Sequence, residues 1–361
     1  MQRSRARMLV PLVLTFGLLA AACGSSSTTK KGTDGTTSPT TAAAPKLAAA
    51  TLNGSGSTFQ LAFNEAVIKE FQAAQPAVKV VYGGGGSGKG QTDLQGGLVQ
   101  WAGSDSTVKP EDVAKYTGPF LYFPTVAAPI TVSYNLSGVK LKLSPQTLAK
   151  IFEGQITKWD DAAIKAENAG ATLPSTAITV AHRSDGSGTT ANFTKYLVAA
   201  AGPAWTLGTD KVVAWPSGTQ AGEGNGGVAQ IVKSTTGSIG YVDYSDAKAA
   251  GLVLASLKNA SGSFVEPSLE SATAALEAAT LAADLTYNPL NSTGAKAYPI
   301  TSPTYILVYS TQADPAVKAA IKGFLEFIYA DGQKTATTVD FAPLPQAILT
   351  AAKAQITKIG V

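Results

Sequence analysis

The stretch Arg183-Ser-Asp-Gly-Ser-Gly-Thr-Thr190 lies between a run patterned like a β-strand, Ala177 to His182, and an amphipathic helical pattern marked by Phe193, Tyr196, Leu197 and Ala200. Its glycines let the backbone approach a ligand closely, and its hydroxyls supply uncharged donors. A helix opening there turns its free N–H groups and the positive end of its dipole toward the same spot. Gly54-Ser-Gly-Ser-Thr-Phe59 and Gly83-Gly-Gly-Gly-Ser-Gly-Lys-Gly90 repeat this design. One such turn is commonly no more than a helix cap. Three in one chain, one of them carrying an arginine, describe an anion site built mainly from neutral donors.

Outward from these turns, short β-type runs alternate with helical ones. Phe59, Phe63, Val67 and Phe71 fall on one helical face that ends at Gln75-Pro76, and Val78 to Tyr82 reads as the next strand. Ser144-Pro145 has the form of an N-cap with proline at the first helical position, leading a helix to Phe152. Lys211 to Trp215, Ser238 to Tyr244 and Thr304 to Tyr309 are further strand candidates. The alternation predicts an α/β fold with mostly parallel strands.

The chain has 361 residues, enough for two domains with real cores, and only 14% are charged while 45% are hydrophobic, which excludes charge-driven disorder for most of the length. Net charge is +4, but Arg3, Arg5 and Arg7 lie in the first 22 positions, where there is no acid; without them 25 basic residues face 24 acidic ones. A nucleic-acid binder held by phosphate contacts carries a much larger basic excess, so that class is set aside.

Residues 1–22 have the form of a secretory signal: a basic start, an apolar run from Met8 to Ala20 too short for a comfortable membrane span, then small residues. Leu19-Ala-Ala-Ala-Cys23 resembles the lipobox at which bacterial lipoproteins are cut and acylated, though Ala20 stands where leucine is commoner. Cys23 is the only cysteine, so no internal disulfide exists, and a second acyl chain would give stable anchoring. Residues 23–50 are rich in Ser, Thr, Gly, Ala and Pro and read as a flexible tether with a reach of about 25–30 Å. The protein is expected outside the cytoplasmic membrane, lipid-anchored to its outer face.

Catalytic motifs fail on inspection. The second glycine turn approaches a P-loop, but Gly90 stands where a Ser or Thr must hold magnesium. Ser106-Thr-Val-Lys109 matches the Ser-x-x-Lys of penicillin-binding enzymes without its partner motifs. His182 is the single histidine, beside Arg183, where a half-buried structural role is expected. Neither a histidine pair nor a cofactor site is evident.

At its turns the sequence resembles the substrate-binding proteins of phosphate-specific ABC transporters. The matching pieces occur in order: GSGSTF at 54–59, YGGGGSG at 82–88, AGSDS at 102–106, RSDGSGTT at 183–190, WPSG at 215–218, GSIGYVDY at 237–244 and YPITSPTYILV at 298–308. The resemblance implies a two-domain periplasmic-binding-protein fold of type II, with domain I at 51–131 and 300–361, domain II at 132–299, and ligand in the cleft beside a two-crossing hinge. It implies phosphate contacts from Thr58, the Phe59 backbone, Ser87, Asp105, Arg183, Ser187, Gly188 and Thr189, with Asp185 holding Arg183. Asp105 would accept a hydrogen bond from the proton of HPO₄²⁻ or H₂PO₄⁻ and refuse sulfate, which has no proton to donate.

The implied activity is high-affinity phosphate binding and delivery to an ABC importer by a monomer, with no catalysis and no metal or other cofactor. The alternatives are a binder of another tetrahedral oxyanion or an exported phosphate-ester hydrolase. Gln60 replaces the family's usual proline, and Gly88 and Lys89 its usual second serine and glycine, so Lys89 is expected to add a charge near the site.

Overall fold

A computed structural model describes residues 46–360; the signal segment, Cys23 and the tether as far as residue 45 lie outside the described residues. The first elements are β1 (Ala50–Gly56), α1 (Leu61–Ala74), β2 (Val78–Gly85), α2 (Gly86–Gln95), β3 (Trp101–Ser104) and the long β4 (Phe120–Tyr134). There follow β5 (Lys142–Leu143), α3 (Pro145–Phe152), α4 (Ala162–Glu167), β6 (Thr179–Arg183), α5 (Gly188–Ala201), β7 (Gln220–Gly222), α6 (Gly224–Ser234), β8 (Ser238–Asp243) and α7 (Tyr244–Ala250). The chain continues through β9 (Val253–Leu254), β10 (Ser256–Lys258), β11 (Phe264–Val265), α8 (Leu269–Leu276), β12 (Thr301–Tyr309), α9 (Pro315–Ile328), α10 (Asp331–Ala336) and α11 (Gln346–Gln355).

The main sheet runs β2-β1-β3-β12-β4-β8-β6-β7, with β9 on β4, and a small sheet joins β11, β10 and β5. The expectation of mostly parallel strands holds on the flanks, where β1 pairs in parallel with β2 and β3, and β6 with β7 and β8. Through the centre it fails: β12 is antiparallel to β3 and β4, and β4 to β8. The β12–β4 register also shifts between Pro303 and Tyr305. Pro124, Pro129 and Pro303 have no N–H to give a ladder. Past Pro129, β4 changes partner and pairs Ile130–Tyr134 with β8, so one strand serves two half-sheets.

Helices cover both faces, and strands buried on both sides read as continuous rather than alternating apolar runs. Every residue of β3 and β8, and of β12 as far as Val308, is buried. In α1, Phe63, Val67 and Phe71 are buried at the predicted four-residue spacing. Ser144 caps α3 as expected, its Oγ accepting from the Thr147 N–H.

The strand expected at Lys211 to Trp215 is absent; the neighbour of β6 is β7, nine residues beyond Lys211, pairing Gln220–Gly222 with Ala181–Arg183. Val212 is 67% exposed, and Trp215 is fixed by stacking on His182 and Tyr241, with centroids 5.1 and 5.8 Å apart. Aromatic contact holds this segment where ladder hydrogen bonds were expected.

Phe71 joins α1 to α9 through Phe324 and Phe327, at centroid distances of 5.2 and 5.6 Å. Replacing it with Ala leaves a cavity in this seam and is expected to cost about 3–5 kcal/mol, read as a lower urea midpoint with an unchanged slope.

Candidate functional site

The three glycine turns sit at the C-terminal ends of the parallel strands β1, β2 and β6, where the sheet delivers them to one place. The second meets the third directly, the Gly88 N–H donating to the Gly186 carbonyl at 2.7 Å. Only glycine permits the approach. A Cβ on Gly188 would stand 2.4 Å from Ser87 Oγ and 2.9 Å from Asp105 Cβ, and one on Gly86, at φ +88°, 2.2 Å from Asp185 Oδ2. Thr58, Phe59, Ser87, Asp105, Arg183, Asp185, Ser187, Gly188 and Thr189 all lie on these turns or beside them, and Cys23 lies outside the described residues.

Asp105, 2% exposed just past β3, stands at its centre. Ser57 Oγ donates to both carboxylate oxygens at 2.6 and 2.7 Å, Thr304 Oγ1 to Oδ1 at 2.7 Å, and Ser87 Oγ to Oδ2 at 3.2 Å. Three hydroxyl protons meet a group with about four lone-pair positions, so one acceptor position is left for another donor. Burial pushes this carboxyl up to about 6, against the pull of Ser57, Thr304, Arg183 and Ser87 in the other direction. It is a carboxylate short of one proton.

Arg183, at the end of β6, is 4% exposed. Its Nε donates to Asp185 Oδ1 at 2.8 Å, Nη2 to Asp185 Oδ2, and Nη1 to Thr189 Oγ1 at 3.3 Å. Three of five N–H groups thus hold the fork in place, and one remains on each terminal nitrogen. Asp185 does hold Arg183. Burial would raise the Asp185 carboxyl, but Arg183 and the Gly224 N–H outweigh it and hold it below its ordinary value.

At the start of α5, Ser187 Oγ accepts from the Thr190 N–H at 3.0 Å as an N-cap, keeping its own proton for a further partner. The first N–H groups of the helix, at Gly188 and Thr189, have no intrahelical acceptor. Thr58 Oγ1 accepts from the Asn225 backbone at 3.2 Å, and the Phe59 N–H is directed to Ser57 Oγ at 3.0 Å. Ser87 differs from the expected simple donor. It accepts from the Asp105 N–H at 3.0 Å and turns its proton to the carboxylate, so it must rotate to reach a ligand oxygen.

Sequence reasoning passed over four residues. Ser57 and Thr304 lie inside the quoted GSGSTF and ITSPTYILV pieces. Asn225 opens α6 from Gly222-Glu-Gly-Asn-Gly-Gly227, a fourth strand, glycine turn and helix of the same design. Its amide lies 3.2 Å from both Thr58 Oγ1 and Thr189 Oγ1; with the oxygen turned inward it also accepts from the Phe59 N–H at 3.2 Å and Arg183 Nη1 at 3.3 Å. Asn192 ties α5 across to the Asp105 carbonyl at 2.6 Å, with no glycine signal to mark it.

The expected charge of Lys89 is neutralised: its Nζ pairs with Asp93 one turn on at 2.5 Å. Gln60 is wholly buried and its amide donates to the Tyr305 carbonyl at 3.1 Å, so it replaces the family's proline with a tie to β12. His182 is half-buried, bonded to the Arg183 carbonyl and Thr219 Oγ1 and stacked on Trp215, a structural position.

A mixed sheet whose glycine turns gather uncharged donors, one arginine and one proton-poor carboxylate defines a substrate-binding protein of the periplasmic type, and residues 34–332 match the PBP superfamily domain. The chain is 37% identical to the phosphate-binding protein PstS of Pasteurella multocida, over 85% of this chain and 90% of the relative. It is 36% identical to phosphate-binding protein PstS 3 of Mycobacterium tuberculosis, over 82% and 83%. It belongs to this PstS family of phosphate-binding proteins. The fold is shared with a high-affinity periplasmic phosphate-binding protein solved with phosphate (TM-score 0.71, 24% identity, 85% of this chain and 94% of that one). It is shared also with a phosphate-binding protein of Stenotrophomonas maltophilia (TM-score 0.68, 21% identity, 84% and 93%).

Because the folded state raises the Asp105 pKa, it holds this proton more tightly than the unfolded chain does, and stability falls as pH rises from about 4 to about 6. Asp105→Asn removes that slope. The stability difference between wild type and variant, measured by urea unfolding of the ligand-free proteins, is expected to change by up to about 3 kcal/mol across this window. Gly188→Ala is expected to weaken ligand binding at least tenfold and to lower stability as well, since its methyl group would push Ser87 and Asp105 from their places.

Proposed function

We propose that this chain binds inorganic phosphate with high affinity outside the cytoplasmic membrane and delivers it to the permease subunits of an ABC importer, without catalysis. The observation that carries the reading is the carboxylate of Asp105, enclosed by three hydroxyl donors with one acceptor position unfilled. Such a group beside an anion is repulsive unless the anion brings a proton. Hydrogen phosphate does so near neutral pH, and sulfate does not.

The family resemblance and the clustering of these groups support the following roles. The free N–H groups of Arg183 bind two phosphate oxygens as a planar fork, kept in place by Asp185. Ser187, Gly188 and Thr189 meet a third oxygen from the start of α5, and Thr58 and the Phe59 N–H close from the start of α1. Ser87 joins by rotating, and Asp105 accepts a hydrogen bond from the ligand's own proton. Because Asp185 neutralises Arg183, selectivity rests on hydrogen-bond pattern rather than on net charge.

The two half-sheets correspond to two lobes, 51–131 with 300–361 and 132–299. The chain crosses between them at the partner change in β4 and again before β12. Lobe closure around phosphate shifts a population of open and closed forms, and the closed monomer docks on the permease. Cys23, acylated after removal of residues 1–22, anchors the chain to the membrane through a tether that is shorter than 23–50, since the Leu47 N–H already donates to Gln75 Oε1 and Ala50 opens β1. The PstS relatives support the transport setting, and the lipobox supports the anchor.

Calorimetric titration is expected to show one tight phosphate site and no heat with sulfate. In Asp105→Asn the phosphate preference over sulfate should fall by at least tenfold. Sulfate bound by the wild type as tightly as phosphate would defeat the proposal.

A further inference from the structure

Beside Asp105 and Asn192, both of which belong to its lining, the described residues form a half-open cavity of about 240 Å³. Lys109 enters its wall from the segment after β3, and Lys195 and Lys211 from the opposite side, with Thr209 and Asn288 between them. Lys109 is paired with Asp210 at 2.5 Å. Lys195 and Lys211 have no carboxylate partner within ion-pair distance among the described residues, and Lys211 Nζ donates only to the neutral Gln91 Oε1. Three ammonium groups against Asp210 and Asp105 leave an excess of one positive charge around the cavity, and it is carried by the two lysines that have no carboxylate partner.

An ammonium drawn half out of water against a neutral amide, with like charges nearby, lacks a counter-ion. Burial holds Lys211 below its ordinary pKa; Asp112 and Asp210 oppose the shift, and Lys109 and Lys115 add to it. The Asp210 carboxylate in the wall is turned to Lys109 Nζ and the Lys211 N–H, so the attraction comes from the unpaired ammonium groups of Lys195 and Lys211, and an ammonium group donates alike to a protonated and an unprotonated oxyanion.

We propose that this cavity is a second, shallower anion site that takes tetrahedral oxyanions of either kind, phosphate or sulfate, and stages phosphate before it reaches Asp105. Lysines lining a concave mouth raise the local anion concentration and the association rate without fixing an orientation. Asn192 forms the partition, donating to the Asp105 carbonyl at 2.6 Å and to Ser302 Oγ at 3.0 Å. The staging role rests on the phosphate function; the second site itself does not.

Sulfate is the probe, since the deep site should refuse it. The purified chain, given one equivalent of phosphate, is titrated with sulfate at constant ionic strength while backbone amide resonances are followed. Saturable shifts at Thr209, Lys211 and Asn288 in the millimolar range are expected, and they should vanish in Lys195→Gln/Lys211→Gln and weaken in Lys195→Gln alone, where only an exposed charge is lost. No saturable shift in the wild type, or the same shifts in the double variant, overturns the second site. At low salt the double variant should bind phosphate about tenfold more slowly with its dissociation rate unchanged. An unaltered association rate overturns the staging role. Failure of phosphate to bind the wild type at all would count against the deep site instead, and the sulfate shifts would still decide the second.

Discussion

The structure depends on keeping one carboxylate out of water. Asp105 is buried where nothing apolar would be penalised and an ion is, and the surrounding hydroxyls recover only part of that cost. Ser57 comes from the turn after β1, Ser87 from the start of α2 and Thr304 from β12, so three separate segments must be in register before the group is satisfied. The fold therefore carries a destabilising residue at its centre. In the proposed role, a ligand that donates a hydrogen bond supplies what the protein lacks, and a structural cost becomes selectivity.

Around this centre the architecture is a device for close approach. Parallel strands on each flank end their glycine turns at the same level, while antiparallel β4 and β12 tie the flanks together. Gly186 and Gly88 touch through their backbones, and Gly188 lies against Ser87 and Asp105 with no room for a methyl group. Side chains would keep the turns apart. Neutral donors suit such a place because they impose little desolvation cost when empty, whereas bare cations would. The lysine-lined cavity beside Asn192 follows the opposite logic, with ammonium groups still partly in water and able to attract an anion from a distance.

Much of this was legible in the sequence because it is local. A glycine turn between a strand pattern and a helix pattern is written in consecutive residues, and all three such turns fall where expected. The strand predicted at Lys211 to Trp215 was wrong because its residues are fixed by distant partners: Trp215 by His182 and Tyr241, Lys211 by Gln91. The antiparallel centre was missed for a similar reason, since alternation of elements says nothing about which way a returning strand runs. Ser57 and Thr304 were in view without their role, because only the folded chain shows where a hydroxyl points. Asn225 carried the same glycine signal as the three recognised turns and was overlooked.

The central claim is that Asp105 accepts a hydrogen bond from a proton carried by the bound anion. A crystal structure of the phosphate complex, taken to a resolution at which hydrogens are located, tests it most directly. The account predicts a phosphate oxygen within about 2.7 Å of an Asp105 carboxylate oxygen, with a proton between them. A phosphate bound elsewhere, or an Asp105 carboxylate with all its positions taken by protein donors and none by ligand, would contradict it.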